Sequence, residues 1–300
     1  MSTSEKLGPP WTILKILRWT TDFLGERGID SPRVDAEVLL SHALDLPRIQ
    51  LYAQFDRPLI ESELASYRAM IKRRAAGEPV AYITGERDFW SITLKTDARA
   101  LIPRPDTETL VEAALKLLPE VKEDQRLRVA DIGTGTGAIA LALASERPDL
   151  DVAATDLAAP TLELAKENAQ ALDLSERVSF FQGDLLDALP QAWRSLDMLV
   201  SNPPYIGTSE REQLMRDVRD FEPEGALFSG EDGLDILRRL IPASLNVLKP
   251  GAYLLLEIGY RQGSAVTGLL EDAGFEEIAI LPDLAGRDRV ARARRTAQDA

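Results

Sequence analysis

The sequence has no cysteine and a single histidine, His42. The first absence excludes a disulfide framework, a thiolate nucleophile and any cysteine-ligated zinc. The second excludes a histidine metal cluster, so redox and transition-metal chemistry fall away together and no metal is expected. Long apolar runs are missing too: AIALALA at 138–144 is far short of the roughly 18 residues a membrane span requires. At the N-terminus Lys15 and Arg18 interrupt the apolar segment and no small-residue cleavage site follows, so it reads as an amphipathic helix rather than a signal peptide. A cytoplasmic location without membrane association is expected. Positive charge is the third shortage, with 35 Lys and Arg against 49 Asp and Glu, a net −14. Residues 1–80 are neutral with 11 of each sign, and all of the excess acid lies downstream, where 38 acidic residues face 24 basic ones. Gripping phosphate backbones needs the opposite sign, so no stable nucleic-acid binding is expected.

What is present is enough for one large core or two ordinary ones: 300 residues, 45% of them hydrophobic. From Trp11 to about Ala76 apolar residues recur at helical spacing between proline and glycine breaks, which predicts a bundle of about four helices over 1–76, with His42 packed or exposed in the second. Ser31-Pro32 is a helix start. Residues 77–105 carry alternating runs, DFWSITLKT above all, that predict a β-hairpin linker. A helix from near Asp106 to about Leu118 opens the third segment, 106–300. There the runs LRVADIG, DVAATD, VSFFQGD and LDMLVSNPPY alternate with helices over 137–146 and 159–172. A helix at about 233–248, the strand AYLLLEIG, a helix at 262–273 and two last strands near 275–281 and 288–294 complete it. Such alternation predicts an α/β domain with a mainly parallel, doubly wound sheet, whose ligands sit at the C-terminal strand ends.

Chemistry-bearing residues fall at those ends. DIGTGTG (Asp131, Gly133, Thr134, Gly135, Thr136, Gly137) follows the first strand and opens a helix, so backbone N–H groups can approach a ligand closely. The same loop satisfies the dinucleotide pattern G-x-G-x-x-G/A, which leaves a nicotinamide cofactor open. Asp156, 23 residues beyond Gly133, suits the ribose hydroxyls of an adenosine, or else a helix cap. Asp131 discriminates between cofactors, because a carboxylate there repels a pyrophosphate but suits a sulfonium and an amino group, which favours S-adenosylmethionine. Asp184, after the third strand, is placed to accept from an adenine amino group, or serves as a turn residue. The fourth strand delivers SNPPYI, Ser201 to Ile206. Methylating an amide or aromatic amine requires its two N–H bonds to be held so that the delocalised lone pair faces the methyl group. The Asn202 side-chain oxygen and the Pro203 carbonyl, fixed by the Pro203-Pro204 geometry, can accept those hydrogens while Tyr205 packs on the flat face. A merely rigid loop is the bland alternative.

The chain resembles the HemK/PrmC family, the peptide chain release factor glutamine methyltransferases, over nearly its whole length. The resemblance is carried by GEPVAYITGERDFW (77–90), LIPRPDTETLVE (101–112), DIGTGTGAIALALA (131–144), SNPPYI (201–206), EPEGALFSGEDGLD (222–235), LLLEIGYRQG (254–263) and DLAGRDRV (283–290), in family order. It implies a Rossmann-like class I S-adenosylmethionine-dependent methyltransferase domain with a small N-terminal helical domain joined by a β-hairpin linker. The implied substrate is the glutamine of the Gly-Gly-Gln loop of class I release factors, methylated on its side-chain amide with S-adenosylhomocysteine as product. The helical domain is implied to engage the release factor, and a monomer is expected. By motif, Gly133–Gly137, Asp156 and Asn202 carry over as cofactor contacts and Asn202–Tyr205 as the substrate clamp, with Arg104 and Glu108 buttressing the pocket. Where many members have an aromatic residue after the third-strand aspartate, this chain has Leu185, which implies aliphatic packing on the adenine.

Three competing readings predict other features. A nucleic-acid adenine or cytosine amino-methyltransferase with the same clamp requires a basic target-reading surface, and the arginine-rich segment is the tail, Arg287 to Arg295, diluted by Asp288. A noncatalytic scaffold has no need of glycine loop, ribose acid and clamp together. A nicotinamide oxidoreductase leaves Asn-Pro-Pro-Tyr unexplained.

Overall fold

The computed structural model describes residues 11–120 and 125–297. Helices α1 (Ile13–Gly25), α2 (Pro32–Leu44), α3 (Arg48–Ala53), α4 (Glu61–Ala75) and α5 (Val80–Thr84) precede a hairpin of β1 (Glu86–Phe89) and β2 (Ile92–Lys95). There follow α6 (Glu108–Leu117), β3 (Leu127–Ile132), α7 (Ala138–Glu146), β4 (Leu150–Asp156), α8 (Ala159–Ala171), β5 (Val178–Gln182) and β6 (Leu196–Ser201). The chain continues through α9 (Arg216–Phe221), α10 (Asp235–Ser244), β7 (Leu248–Glu257), α11 (Gly263–Asp272), β8 (Phe275–Pro282) and β9 (Asp288–Arg295).

Two compact units result. The first joins the described residues up to Gly85 with Met215–Phe221. Its core is the apolar stripe of α1 (Ile13, Leu17, Leu24) against Leu39 and Leu40 of α2 and Tyr67 and Ile71 of α4. Thr12 starts α1 by accepting from Lys15 N. The buried Arg74 guanidinium binds Asp35 at 2.6 Å and reaches Asp217 of α9 at 3.5 Å, which ties that distant segment into this unit. Among the described residues up to 76 there are four helices, the number the spacing predicts, and a fifth lies at 80–84, inside the stretch expected as the hairpin linker. The extra one is PVAYIT, whose alternation reads as extended; Pro79 precedes the helical turn and Gly85, at φ 80°, ends it in the left-handed region.

The second unit, Glu86–Leu214 with the residues from Glu222 onward, holds a seven-stranded sheet in the order β5-β4-β3-β6-β7-β9-β8. β3 to β7 pair in parallel and β8 and β9 antiparallel, which is the predicted doubly wound arrangement with an antiparallel edge. Alternate residues enter two cores, as the two-residue strand period demands. Val129, Val152, Met198 and Leu255 pack under α6 and α7, and Ala130, Ile132, Leu199 and Leu254 under α10 and α11. Helix α7 is buried on all sides over 138–144, which explains its unbroken apolar sequence. The hairpin, assigned on sequence to a linker, buries Phe89, Ile92 and Leu94 in the same core as Leu110 and Val111 of α6. Among the described residues no helix is long and apolar enough to cross a membrane. Because chain direction switches sides between β3 and β6, their C-terminal ends open onto a crevice.

Candidate functional site

A cavity of about 290 Å³ occupies that crevice, walled by the ends of β3, β4, β5 and β6 and by the Leu101–Arg104 segment. Gly133, Thr134, Gly135 and Thr136 form one side. Gly135 has φ 58°, a left-handed conformation that costs other residues strain, and its N–H donates to Asp156 Oδ2 at 3.1 Å. Gly137 opens α7 at φ 86°, and a Cβ there would lie 2.9 Å from Leu141 Cδ1. Gly137 itself stands outside the cavity wall.

Asp131 also stands outside it, which corrects the expectation that its carboxylate meets a cofactor directly. It lies on the β3 face that α7 covers, so Oδ2 accepts from Thr134 Oγ1 at 2.6 Å and from Ala140 N at 3.2 Å. The carboxyl is fully buried, with Oδ1 lacking a hydrogen-bond partner among the described residues, and burial pushes its pKa up to about 7. Its role in the geometry is to hold the glycine loop.

Asp156 does line the cavity at the end of β4. Its Oδ1 accepts from Ala158 N at 3.0 Å and Oδ2 from Gly135 N, so it turns the chain into α8 and secures the loop at once. Each carboxylate oxygen keeps a second lone pair for a ligand. Burial raises its pKa. Asp184 and Leu185 form the opposite wall. Asp184 is exposed and already paired with Arg239, while Leu185 adopts φ 48°, an unusual conformation for a branched side chain.

At the end of β6, Asn202, Pro203 and Pro204 line the cavity. Asn202 Nδ2 donates to Thr107 Oγ1 at 3.2 Å, which commits the amide nitrogen and leaves Oδ1 for a ligand. Tyr205 does not line the wall. Its hydroxyl turns to Glu257 Oε1 at 3.4 Å and its carbonyl accepts from Gln262 Nε2 at 2.9 Å. Burial, then the Glu257 charge, raises the phenol pKa. Gly233, at φ 78°, passes so close that a Cβ would sit 2.1 Å from the Tyr205 oxygen.

Sequence reasoning missed Thr107, Gln262, Gly233 and Glu257, each of which fixes the Asn202–Tyr205 segment through a contact remote in sequence. A signal existed for Glu257, a lone acid at the end of the apolar strand AYLLLE. Of the two suggested buttresses, Arg104 lines the cavity and donates to the buried Glu222 at 2.6 Å. Glu108 instead accepts from Trp90 N at 3.0 Å, away from the wall.

The PrmC N-terminal domain family matches residues 15–85 and the methyltransferase small domain family residues 108–219. A release factor glutamine methyltransferase of Rhodopirellula baltica is 42% identical over 283 residues, covering 94% of this chain and 95% of that protein. One of Xylella fastidiosa is 47% identical over 258 residues, 86% of this chain and 91% of its own. Among solved structures, the human methyltransferase 10 domain containing protein superposes with a TM-score of 0.53 at 19% identity, over 70% of this chain and 90% of that one, a likeness of fold alone.

Proposed function

The chain belongs to the release factor glutamine methyltransferases, and from that premise we propose its reaction: a methyl group passes from S-adenosylmethionine to the side-chain amide nitrogen of the glutamine in the Gly-Gly-Gln motif of class I peptide chain release factors. The observation that carries this reading is the Asn202 amide, whose nitrogen is taken by Thr107 so that an oxygen acceptor remains at the cavity.

The cavity suits such a donor. Gly133–Thr136 present backbone unobstructed by side chains at the glycines, Asp156 offers acceptors for a pair of ribose hydroxyls, and Leu157, Leu185 and Ile236 supply apolar wall for an adenine. When bound, S-adenosylmethionine supplies an electrophilic methyl group and leaves as S-adenosylhomocysteine. The chain's own residues do the rest by orientation. Asn202 Oδ1 and the Pro203 carbonyl accept the two amide hydrogens, holding the nitrogen lone pair toward the methyl position, and their dipoles stabilise the positive charge that develops on nitrogen. With that donor held by Gly133–Thr136 and Asp156, the amide nitrogen so oriented would take the methyl group as the C–S bond broke, and one amide proton would leave to water. Tyr205 stands behind the cavity wall, its hydroxyl held by Glu257 and its carbonyl by Gln262, and so keeps the Asn202–Pro204 segment in place. The helical unit engages the release factor, and the enzyme works as a cytoplasmic monomer without metal or stable nucleic-acid binding, in keeping with its net charge of −14.

Peptide mass spectrometry of a purified class I release factor after incubation with the protein and S-adenosylmethionine tests this. One methyl group on the Gly-Gly-Gln glutamine is expected. An unmodified glutamine, with label entering nucleic acid in a parallel incubation, would overturn the substrate assignment.

A further inference from the structure

Glu257 is the last residue of β7 and its side chain is fully buried. It lies one step beyond the final pair of the β6–β7 ladder, Ser201 with Leu256, which brings it alongside Asn202. A carboxylate in such a place costs folding free energy unless it is used. The Tyr205 hydroxyl reaches Oε1 at 3.4 Å, Thr107 is among the groups that face the carboxyl, and Oε2 has no hydrogen-bond partner among the described residues. Thr107 Oγ1 accepts from Asn202 Nδ2, so its single hydrogen is free to donate onward to the carboxylate.

We infer that Glu257 is a positioning residue for methyl transfer, setting the direction of the relay Asn202 to Thr107 to Glu257 so that the Asn202 amide presents oxygen, not nitrogen, to the substrate. The same carboxylate anchors the Tyr205 ring. A neutral acid in that position offers a proton of its own, competes with the Thr107 donor and removes the reason for Asn202 to point its nitrogen inward. The inference rests on the proposed amide methylation.

The groups facing Glu257 are Tyr205 from the loop after β6, Asp106 and Thr107 from the turn before α6, and Arg289 from β9. Arg289 is itself bound to Asp106 at 3.1 Å and Asp283 at 3.3 Å. Burial raises the Glu257 pKa to about 7, against the opposing pull of Thr107 and Arg289. The ionised form is the one that accepts hydroxyl hydrogens without offering a proton of its own, so kcat should rise as pH passes upward through that value.

The experiment compares wild type, Glu257→Gln, Thr107→Val and Thr107→Ser on a class I release factor, with cofactor affinity measured by calorimetry. Glu257→Gln should lower kcat about 10- to 100-fold, the scale of a misaligned reacting group, flatten its pH dependence near neutrality and leave S-adenosylmethionine affinity unchanged. Thr107→Ser should keep activity and Thr107→Val lose it. A wild-type rate and pH profile in Glu257→Gln would overturn the inference, as would equal activity of the two Thr107 variants or a collapse of cofactor affinity in Glu257→Gln. Failure of the wild-type protein to methylate the release factor strikes instead the reading on which the inference rests.

Discussion

Replacing Asn202 with alanine separates catalysis from folding. In the folded protein the side chain is half-buried and its amide donates one neutral hydrogen bond, to Thr107 at 3.2 Å. Losing such a bond costs about 1 kcal/mol, a small part of the roughly 5–15 kcal/mol that keeps a domain folded. The variant should therefore fold and keep the cavity, whose glycine loop and Asp156 are secured by other bonds. Methyl transfer loses more, because in the proposed reaction Oδ1 is one of two acceptors that orient the substrate amide. Removing one pre-oriented polar group from a reacting centre costs about 2–4 kcal/mol, which is roughly 30- to 1000-fold in rate. Single-turnover transfer of tritiated methyl from S-adenosylmethionine to a purified release factor reads that loss, and calorimetry reads cofactor binding beside it. Asn202→Asp is the informative companion: it keeps an acceptor but has no donor for Thr107, and it places a second carboxylate near Glu257. Single-turnover rates within threefold of wild type in the alanine variant would refute the clamp.

Asp156→Ala should weaken S-adenosylmethionine binding by about 10- to 100-fold, the value of hydrogen bonds to a charged group; unchanged affinity in a titration would remove Asp156 from the cofactor site. Gly233→Ala forces a Cβ to 2.1 Å from the Tyr205 oxygen at φ 78°, which should destabilise the second unit by about 1–3 kcal/mol, read as a lower denaturation midpoint; a wild-type midpoint contradicts the close approach. Asp131 has its folded pKa raised to about 7 by burial, so the folded state holds its proton more tightly than the unfolded one between the ordinary carboxylate range and neutrality. Stability therefore falls as pH rises from about 4 to about 7, and Asp131→Asn, which keeps an acceptor for Thr134 and Ala140, should gain on wild type across that window in urea melts. A gain in the opposite direction would mean the carboxylate is ionised in the fold.

The second unit was largely legible because its elements announce themselves locally. LRVADIG, DVAATD and LDMLV are short apolar strands separated by helices, and glycine and proline mark where each stops, so the parallel sheet and the strand-end positions of Gly133, Asp156 and Asn202 follow from period and spacing alone. What failed was facing. Asp131 and Gly133 are two residues apart, yet one enters the core under α7 and the other meets the cavity, because β3 ends at Ile132: Asp131 still takes its place on a strand face, whereas Gly133, at φ 73°, has already turned out of the strand. PVAYIT was misread for a related reason: six residues are too few to tell a helical turn from an extended run, and the flanking Pro79 and Gly85 decide it. The support of Tyr205 by Gly233, Glu257 and Gln262 lay out of reach because it depends on tertiary proximity across 28 to 57 residues of chain, which no local pattern encodes.

The sheet order gives these buried acids a common logic. β6, which ends in the clamp, lies between β3 and β7, and each neighbour buries one carboxyl near its C-terminal end, Asp131 and Glu257, both with pKa pushed to about 7. Neither touches the cavity, and neither is needed for packing, since an apolar residue of similar volume in either place avoids the desolvation cost. Their partners explain their presence. Asp131 fixes Thr134 and the first turn of α7, hence the glycine loop on the proposed cofactor side; Glu257 receives Tyr205 and faces Thr107, hence the clamp on the proposed substrate side. Methyl transfer by orientation has no strong acid or base to compensate for a misplaced atom, so rigidity must come from beneath the reacting groups. Two buried carboxyls, one under each half of the site, provide it by accepting hydrogen bonds that leave the surface residues a single arrangement.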